Sequence, residues 1–151
     1  MTVTASLDDE VLRDLVVTAG DAVIVADARG VIRFWNPAAE VMFGYSRDEA
    51  LGATLDLIVP EPLRERHWDG YWRTMASGET KYAGRTLAVP AMRADGTRIS
   101  IEFTVTLLRN GGGGVSAIAA IVRDVTERFE RERALRRRVD ELERELEAVR
   151  S

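Results

Sequence analysis

Three stretches near the end of the chain constrain the fold most strongly, because each has the composition of a β-strand and only short turns separate them. The stretches cover residues 85–92, 98–108 and 115–122, and they are rich in apolar and β-branched side chains, which favour strands. The first turn contains Asp95 and Gly96, and the second contains the glycines at 111–114. Connections this short join antiparallel neighbours. The sequence therefore predicts an antiparallel sheet.

The alternation of side chains within the middle stretch predicts a sheet with one apolar face and one solvent-exposed face. Apolar and polar residues take turns along it: Ile99, Ile101, Phe103 and Val105 alternate with Ser100, Glu102 and Thr104. Successive side chains on a strand point to opposite faces. Two further strands are predicted over 22–27 and 31–35, with a tight turn between them. Five strands are therefore expected in all.

Helix signals stand before and between these strands. Apolar positions three and four residues apart predict an amphipathic helix over 7–16, with Ser6 as its cap. Asn36 is placed to cap a short helix. Ser46, followed three residues later by Glu49, predicts a capping box at the start of the next helix.

The last part of the chain is highly charged and carries an apolar stripe with heptad spacing: Leu135, Val139, Leu142, Leu146 and Val149. Spacings that alternate between three and four residues are typical of a coiled-coil seam. In a parallel pair of such helices, the charge contacts beside the seam would join Arg131 with Arg136, Arg138 with Glu143, and Glu145 with Arg150. The first contact is repulsive and the other two are attractive. The narrow stripe favours a homodimer over the alternative, a single helix packed on its own domain.

Composition excludes several classes of protein. The 151 residues fit one ordinary domain with appended helices, so we expect an N-terminal helix over 1–19, a domain over 20–125 and a C-terminal helix over 126–151. The absence of cysteine excludes disulfides and thiolate chemistry. The net charge of −4 gives no reason to expect a nucleic-acid partner. No apolar run approaches the roughly 20 residues that cross a bilayer, so a cytoplasmic protein without a membrane partner is expected.

A single histidine is the strongest candidate for a metal ligand, since the chain has one histidine and no cysteine. This residue, His67, stands on a long helix that Pro60 is expected to open. Gly70 lies on the same helix face, which would let a flat ligand approach the imidazole. The alternative is an ordinary surface or core histidine, the commoner role of a lone histidine on a helix. No catalytic triad, carboxylate pair or phosphate loop stands out, so we expect no catalytic residue.

Five stretches of the sequence resemble the PAS domain family: 27–32, 35–40, 43–52, 93–97 and 123–128. The second, Trp-Asn-Pro-Ala-Ala-Glu, is similar to the helix that follows the first hairpin of PAS sensors. The last, Arg-Asp-Val-Thr-Glu-Arg, is similar to the motif that joins the final strand to an output helix. The resemblance implies an α+β PAS fold, with a five-stranded antiparallel sheet and helices on one face around a cavity, plus a C-terminal coiled-coil helix.

Within that family, the segment 60–79 resembles the oxygen-sensing heme PAS domains of rhizobial histidine kinases. The resemblance implies heme b, with its iron bound by His67. It places Arg73 where that subgroup has an arginine at the heme propionates. It also makes Lys81 or Tyr82, in the following loop, a partner for a propionate.

The opposite side of the expected heme site departs from the subgroup. Leu87 stands where those proteins have an arginine that donates a hydrogen bond to bound oxygen. Either Arg85 supplies a displaced donor, or an apolar pocket of Leu87, Phe103 and Val105 faces the open side of the iron. An apolar pocket stabilises bound oxygen poorly, which favours carbon monoxide or nitric oxide in relative terms.

The resemblance therefore implies a non-catalytic sensor of O2, CO or NO that signals through a dimeric coiled coil to a downstream protein. Two alternatives remain open. One is a PAS domain that binds another small apolar ligand, such as a fatty acid, and the other is a ligand-free dimerisation module.

Overall fold

One antiparallel sheet forms the centre of the protein, whose computed structural model describes residues 8–80 and 84–150. Its strands are β1 Ala22–Asp27, β2 Ile32–Trp35, β3 Leu87–Met92, β4 Arg98–Arg109 and β5 Val115–Asp124. They lie in the order β2-β1-β5-β4-β3, and each neighbouring pair is antiparallel. The predicted five-stranded antiparallel sheet is thus confirmed, with each strand end within two residues of the predicted one.

The helices of the described chain are α1 Asp9–Thr18, α2 Pro37–Phe43, α3 Arg47–Ala50, α4 Arg64–Ser77 and α5 Thr126–Arg150. Two 3-10 turns, Leu55–Leu57 and Glu61–Leu63, connect α3 to α4. The helix predicted to open at Pro60 begins as one of these turns. The reason is that the Leu63 N–H bonds to the Pro60 carbonyl, only three residues back, at 2.9 Å.

The capping residues largely follow the sequence signals. Asn36 caps α2, and Ser46 with Glu49 forms the predicted capping box of α3. The first helix differs, because its cap is Asp8, whose side chain accepts a backbone N–H at 2.8 Å. Ser6, the predicted cap, lies outside the described residues.

Asn36 also joins three elements, as the one polar residue of the described core that is fully buried. Its Oδ1 accepts the Val23 N–H of β1 at 2.9 Å. Its Nδ2 donates to the carbonyls of Val16 at 3.2 Å and Asp21 at 3.1 Å. A buried amide stays favourable only when it is hydrogen-bonded in this way, so Asn36 fixes α1 and α2 on β1.

One face of the sheet is apolar, but helices cover it unevenly. Residues directly opposite in a β-ladder share a face, and the pairs Ala91–Ile99 and Val89–Ile101 therefore lie together. Ala91, Ile99 and Ile101 are buried in the core formed with α2 and α3, whereas Val89 is 37% exposed. Beyond Val89 the same face continues as a half-covered apolar surface, which we call the apolar floor: Leu87, Val89, Phe103, Val105 and Leu107.

The C-terminal helix is attached to strand β4 through its first turn. The Val125 N–H donates to the Ser100 carbonyl at 2.8 Å, and the Ser100 N–H donates to Thr126 Oγ1 at 2.9 Å. Arg128 forms an ion pair with Glu102. Beyond this turn, α5 is exposed along its length. Within residues 8–80 and 84–150, no helix is both long and apolar enough to cross a membrane.

Candidate functional site

Two aromatic side chains attach helix α4 to the rest of the domain. The Tyr71 hydroxyl donates to the Asp27 carbonyl at the end of β1, at 2.5 Å, and Trp68 Nε1 donates to Asp56 Oδ1 at 2.7 Å. The Trp68 ring lies against Gly30, where an added Cβ would come within 2.2 Å of the ring. Gly30 also has φ +79°, which only glycine adopts readily. The turn between β1 and β2 is therefore shaped to receive Trp68.

His67 lies on the same side of α4 as Tyr71, because residues four apart share a helix face. Its ring is half-buried, with its centroid 4.7 Å from that of Trp68 and 5.9 Å from that of Tyr71. Burial lowers the pKa of the imidazole from its ordinary value, and the nearby Asp56 carboxylate offsets this effect in part. The imidazole is therefore neutral at pH 7, which is the form that binds metals.

The His67 imidazole has an unsatisfied nitrogen. Its Nδ1 is buried and has no hydrogen-bond partner among the residues that the structure describes. A buried polar atom without a partner costs about 1–3 kcal/mol, and a bound metal or hydrogen-bonding group would remove this cost. The same part of the chain contains no cluster of three or more metal-binding side chains. A metal here would therefore depend on His67 and on a cofactor that supplies the other ligands, as the porphyrin of heme does.

Of the other residues expected on the His67 side, Arg73 is not brought to that histidine. Arg73 is exposed, and six residues of α-helix place it about 120° around the axis from His67. Gly70 has nothing within 4 Å of where a Cβ would stand, so space beside the imidazole is open. Lys81 and Tyr82, the expected propionate partners in the loop, lie outside the described residues.

Four residues were expected on the side of the heme opposite His67, and three of them lie together on the apolar floor. Leu87 begins β3 directly opposite Phe103, and Val105 lies opposite Ala120 of β5. All three expected side chains are half-buried. Arg85, by contrast, is exposed and precedes the strand, which was predicted to begin at this residue. The backbone turns at Gly84, where φ is +70°, and joins the β-ladder only at Leu87.

The structure adds Arg109, a residue that the sequence did not single out. Its Nη2 donates to the carbonyl of Gly78, the C-cap of α4, at 2.7 Å. Its Nη1 donates to the Gly113 carbonyl at 3.2 Å. Arg109 was missed because β4 was predicted to end at Leu108, whereas the strand continues to Arg109. Arg109 therefore continues the alternation that begins at Ile99, and it joins the end of α4 to the β4–β5 hairpin.

Known proteins similar to this chain include sensors. The chain is 40% identical over 83% of its length to an uncharacterised protein of Azorhizobium caulinodans, of which it covers 17%. It is 34% identical over 77% of its length to the sensor protein FixL of Bradyrhizobium diazoefficiens, of which it covers 23%. It is 29% identical over 63% of its length to the oxygen sensor protein DosP of Escherichia coli, of which it covers 12%. The chain thus spans less than a quarter of these relatives.

Solved structures show the same fold. A PAS domain from Colwellia psychrerythraea superposes with a TM-score of 0.67 over 78% of this chain and 97% of its own, at 19% identity. An RNA-binding light-oxygen-voltage receptor superposes with a TM-score of 0.70 over 91% of this chain and 39% of its own, at 27% identity. The family model described as the PAS fold matches residues 10–125. The chain therefore belongs to the PAS family.

Proposed function

We propose that this PAS sensory domain binds heme b through His67 and senses a diatomic gas: O2, CO or NO. The observation that carries the proposal is the half-buried, neutral imidazole of His67 with an unpartnered buried nitrogen. Support also comes from the similarity to FixL and to DosP, the second of which is named as an oxygen sensor.

Two features of this chain support heme as the ligand. His67 would bind the iron. Leu87, Phe103 and Val105 of the apolar floor would provide an apolar surface that excludes water. Heme, when bound, supplies an iron atom that takes up diatomic gases. A wall without a hydrogen-bond donor discriminates against O2, whose bound form is polar, and in favour of CO and NO. The side chains thus determine which gas the domain senses.

The decisive experiment is the visible spectrum of the protein after reconstitution with heme b. We expect a strong Soret band that is lost or shifted in His67→Ala. The control is Arg66→Ala, which changes an exposed neighbour on the same helix and should leave the band intact. An unchanged band in His67→Ala would remove the histidine from the proposal.

A different apolar ligand is the second candidate, because the apolar floor stays half-covered whether or not His67 binds a metal. A fatty acid would fit such a surface. Purified protein that is colourless, takes up no heme and releases lipid on extraction would favour this function. An empty protein that binds neither would favour a ligand-free dimerisation module.

We also propose that the domain acts as a homodimer and that a ligand signals through α5 to a downstream protein, without catalysis by this domain. Strand β4 supports this route. Phe103 and Val105 in the apolar floor belong to the same strand as Ser100 and Glu102, which hold the first turn of α5. Spin labels at Leu142 would report the distance between the two α5 helices. A distance that ligand binding leaves unchanged would exclude the route.

A further inference from the structure

The inner face of β4 changes from apolar to cationic along its length. Its alternate residues are, in order, Ile99, Ile101, Phe103, Val105, Leu107 and Arg109. The first two are buried, the next three are half-buried and Arg109 is exposed. A ligand that lies along this face would therefore meet an apolar surface and then, at its outer end, a positive charge.

The side chain of Arg109 reaches helix α4. The register of the β4–β5 ladder shifts between Leu108 and Arg109, so that Arg109 pairs with Val115. The residue that the shift skips, Ser116, lies on β5, so the alternation along β4 continues to Arg109. The guanidinium extends to the Gly78 carbonyl at the C-terminus of α4, so it lies at the helix end where the loop to β3 begins.

The hydrogen bonds of Arg109 leave its charge available. Both acceptors are neutral backbone carbonyls, and no carboxylate of the described residues lies within ion-pair distance of Arg109. A guanidinium has five N–H donors, so donors remain after these two bonds. Arginine forms its best contacts with carboxylates, through charge-assisted hydrogen bonds.

We propose that Arg109 binds the carboxylate of an apolar ligand seated on the apolar floor. The inference rests on the proposed function and adds a residue on the face of β4 that carries the apolar floor. The ligand chemistry is an apolar body with a carboxylate at one end, which both a heme propionate and a fatty acid provide. Arg73, the residue expected from sequence to bind a propionate, lies on a different side of α4 from His67.

Esterified ligands test the inference, because esterification removes the charge and keeps the apolar body. Wild-type protein and Arg109→Gln would be titrated with heme b and with heme dimethyl ester. We expect Arg109→Gln to weaken heme b binding by about tenfold, the loss of one charge-assisted hydrogen bond, and to leave binding of the ester unchanged. Arg73→Gln is the matched control, and it should affect the two ligands equally.

The same comparison with a fluorescent polyene fatty acid and its methyl ester identifies the source of the carboxylate. Selective weakening of the fatty acid alone would make a lipid the ligand and keep the role of Arg109. If Arg109→Gln weakens acid and ester equally, or weakens neither, Arg109 only joins α4 to the hairpin and the inference is overturned. Thermal unfolding of Arg109→Gln measures that structural contribution separately.

Failure of this inference is distinguishable from failure of the proposed function. A Soret band that depends on His67 but not on Arg109 would overturn the inference and keep heme binding. Wild-type protein that binds neither heme b nor the fatty acid would overturn both.

Discussion

The half-buried imidazole of His67 makes stability depend on pH at the scale of a single residue. Burial holds the pKa of His67 below its ordinary value of 6.5, with the Asp56 carboxylate acting in the opposite direction. The unfolded state therefore binds a proton more readily than the folded state. As the pH falls below about 6.5, protonation favours unfolding, and the loss continues down to the folded pKa.

Urea unfolding of wild-type protein without added ligand and of His67→Gln, at pH 7.5 and pH 5.5, measures this dependence. Wild-type protein should lose more unfolding free energy than His67→Gln on acidification, because glutamine does not titrate. Carboxylates that titrate in both proteins cancel in the comparison. Parallel losses in the two proteins would show that His67 is solvated and unsuited to a buried site.

Leu87 is expected to control which gas the heme-loaded protein binds. Leu87→Arg adds a charged donor on the apolar floor, and a hydrogen bond to a charged group is worth about 1.5–3 kcal/mol. Oxygen dissociation should slow by about tenfold or more, while CO dissociation changes much less, because bound O2 is the more polar ligand. Ala88→Arg is the control, since successive strand residues point to opposite faces. Equal effects of the two variants would place Leu87 away from the gas.

At the scale of elements, the packing of α4 on the β1–β2 turn depends on Gly30. Gly30→Ala combines an unfavourable positive φ with a clash, since its Cβ would lie 2.2 Å from the Trp68 ring. Gly52→Ala provides the matched control, because Gly52 has φ +88° but nothing within 4 Å of the added Cβ.

Urea unfolding followed by tryptophan fluorescence separates the two effects. Gly52→Ala should cost about 1–2 kcal/mol from backbone strain alone, and Gly30→Ala about 1–3 kcal/mol more from overpacking. A heme-binding defect should appear in Gly30→Ala only, because α4 carries His67. Equal destabilisation by the two variants would show that Trp68 does not depend on the close approach to Gly30.

Local sequence signals predict the strands and helices, but they predict the residues of the candidate site only in part. Alternation along β4 and the caps at Asn36 and Ser46 are short-range signals, so strands and helices could be predicted from the sequence. Strand order and the attachment of α4 through Tyr71 depend on residues 44 positions apart, which no local pattern encodes. Arg109 was missed because β4 was predicted to end at Leu108, one residue before the observed end of the strand.

At the scale of the whole molecule, β4 connects the candidate site to the exposed C-terminal helix. One face of the strand carries the apolar floor, and its Ser100 and Glu102 bind the first turn of α5. The heptad stripe on that helix stays uncovered, with exposed fractions between 46% and 82% for Leu135, Val139, Leu142, Leu146 and Val149. An exposed apolar seam of this kind is stabilised when a second helix covers it.

We therefore expect two copies of the chain to form a dimer through this seam. Leu142→Gln places a polar amide in the centre of the proposed seam and should shift the protein from dimer to monomer in sedimentation experiments at micromolar concentration. Burying a leucine contributes about 1.5–3 kcal/mol, and a symmetric dimer loses this contribution twice. The dissociation constant of the dimer should therefore rise by at least about 100-fold. Arg144→Gln, on the opposite side of the helix, should leave the dimer intact. If Leu142→Gln sediments like wild-type protein, the seam does not join two copies and signals must leave the domain by another surface.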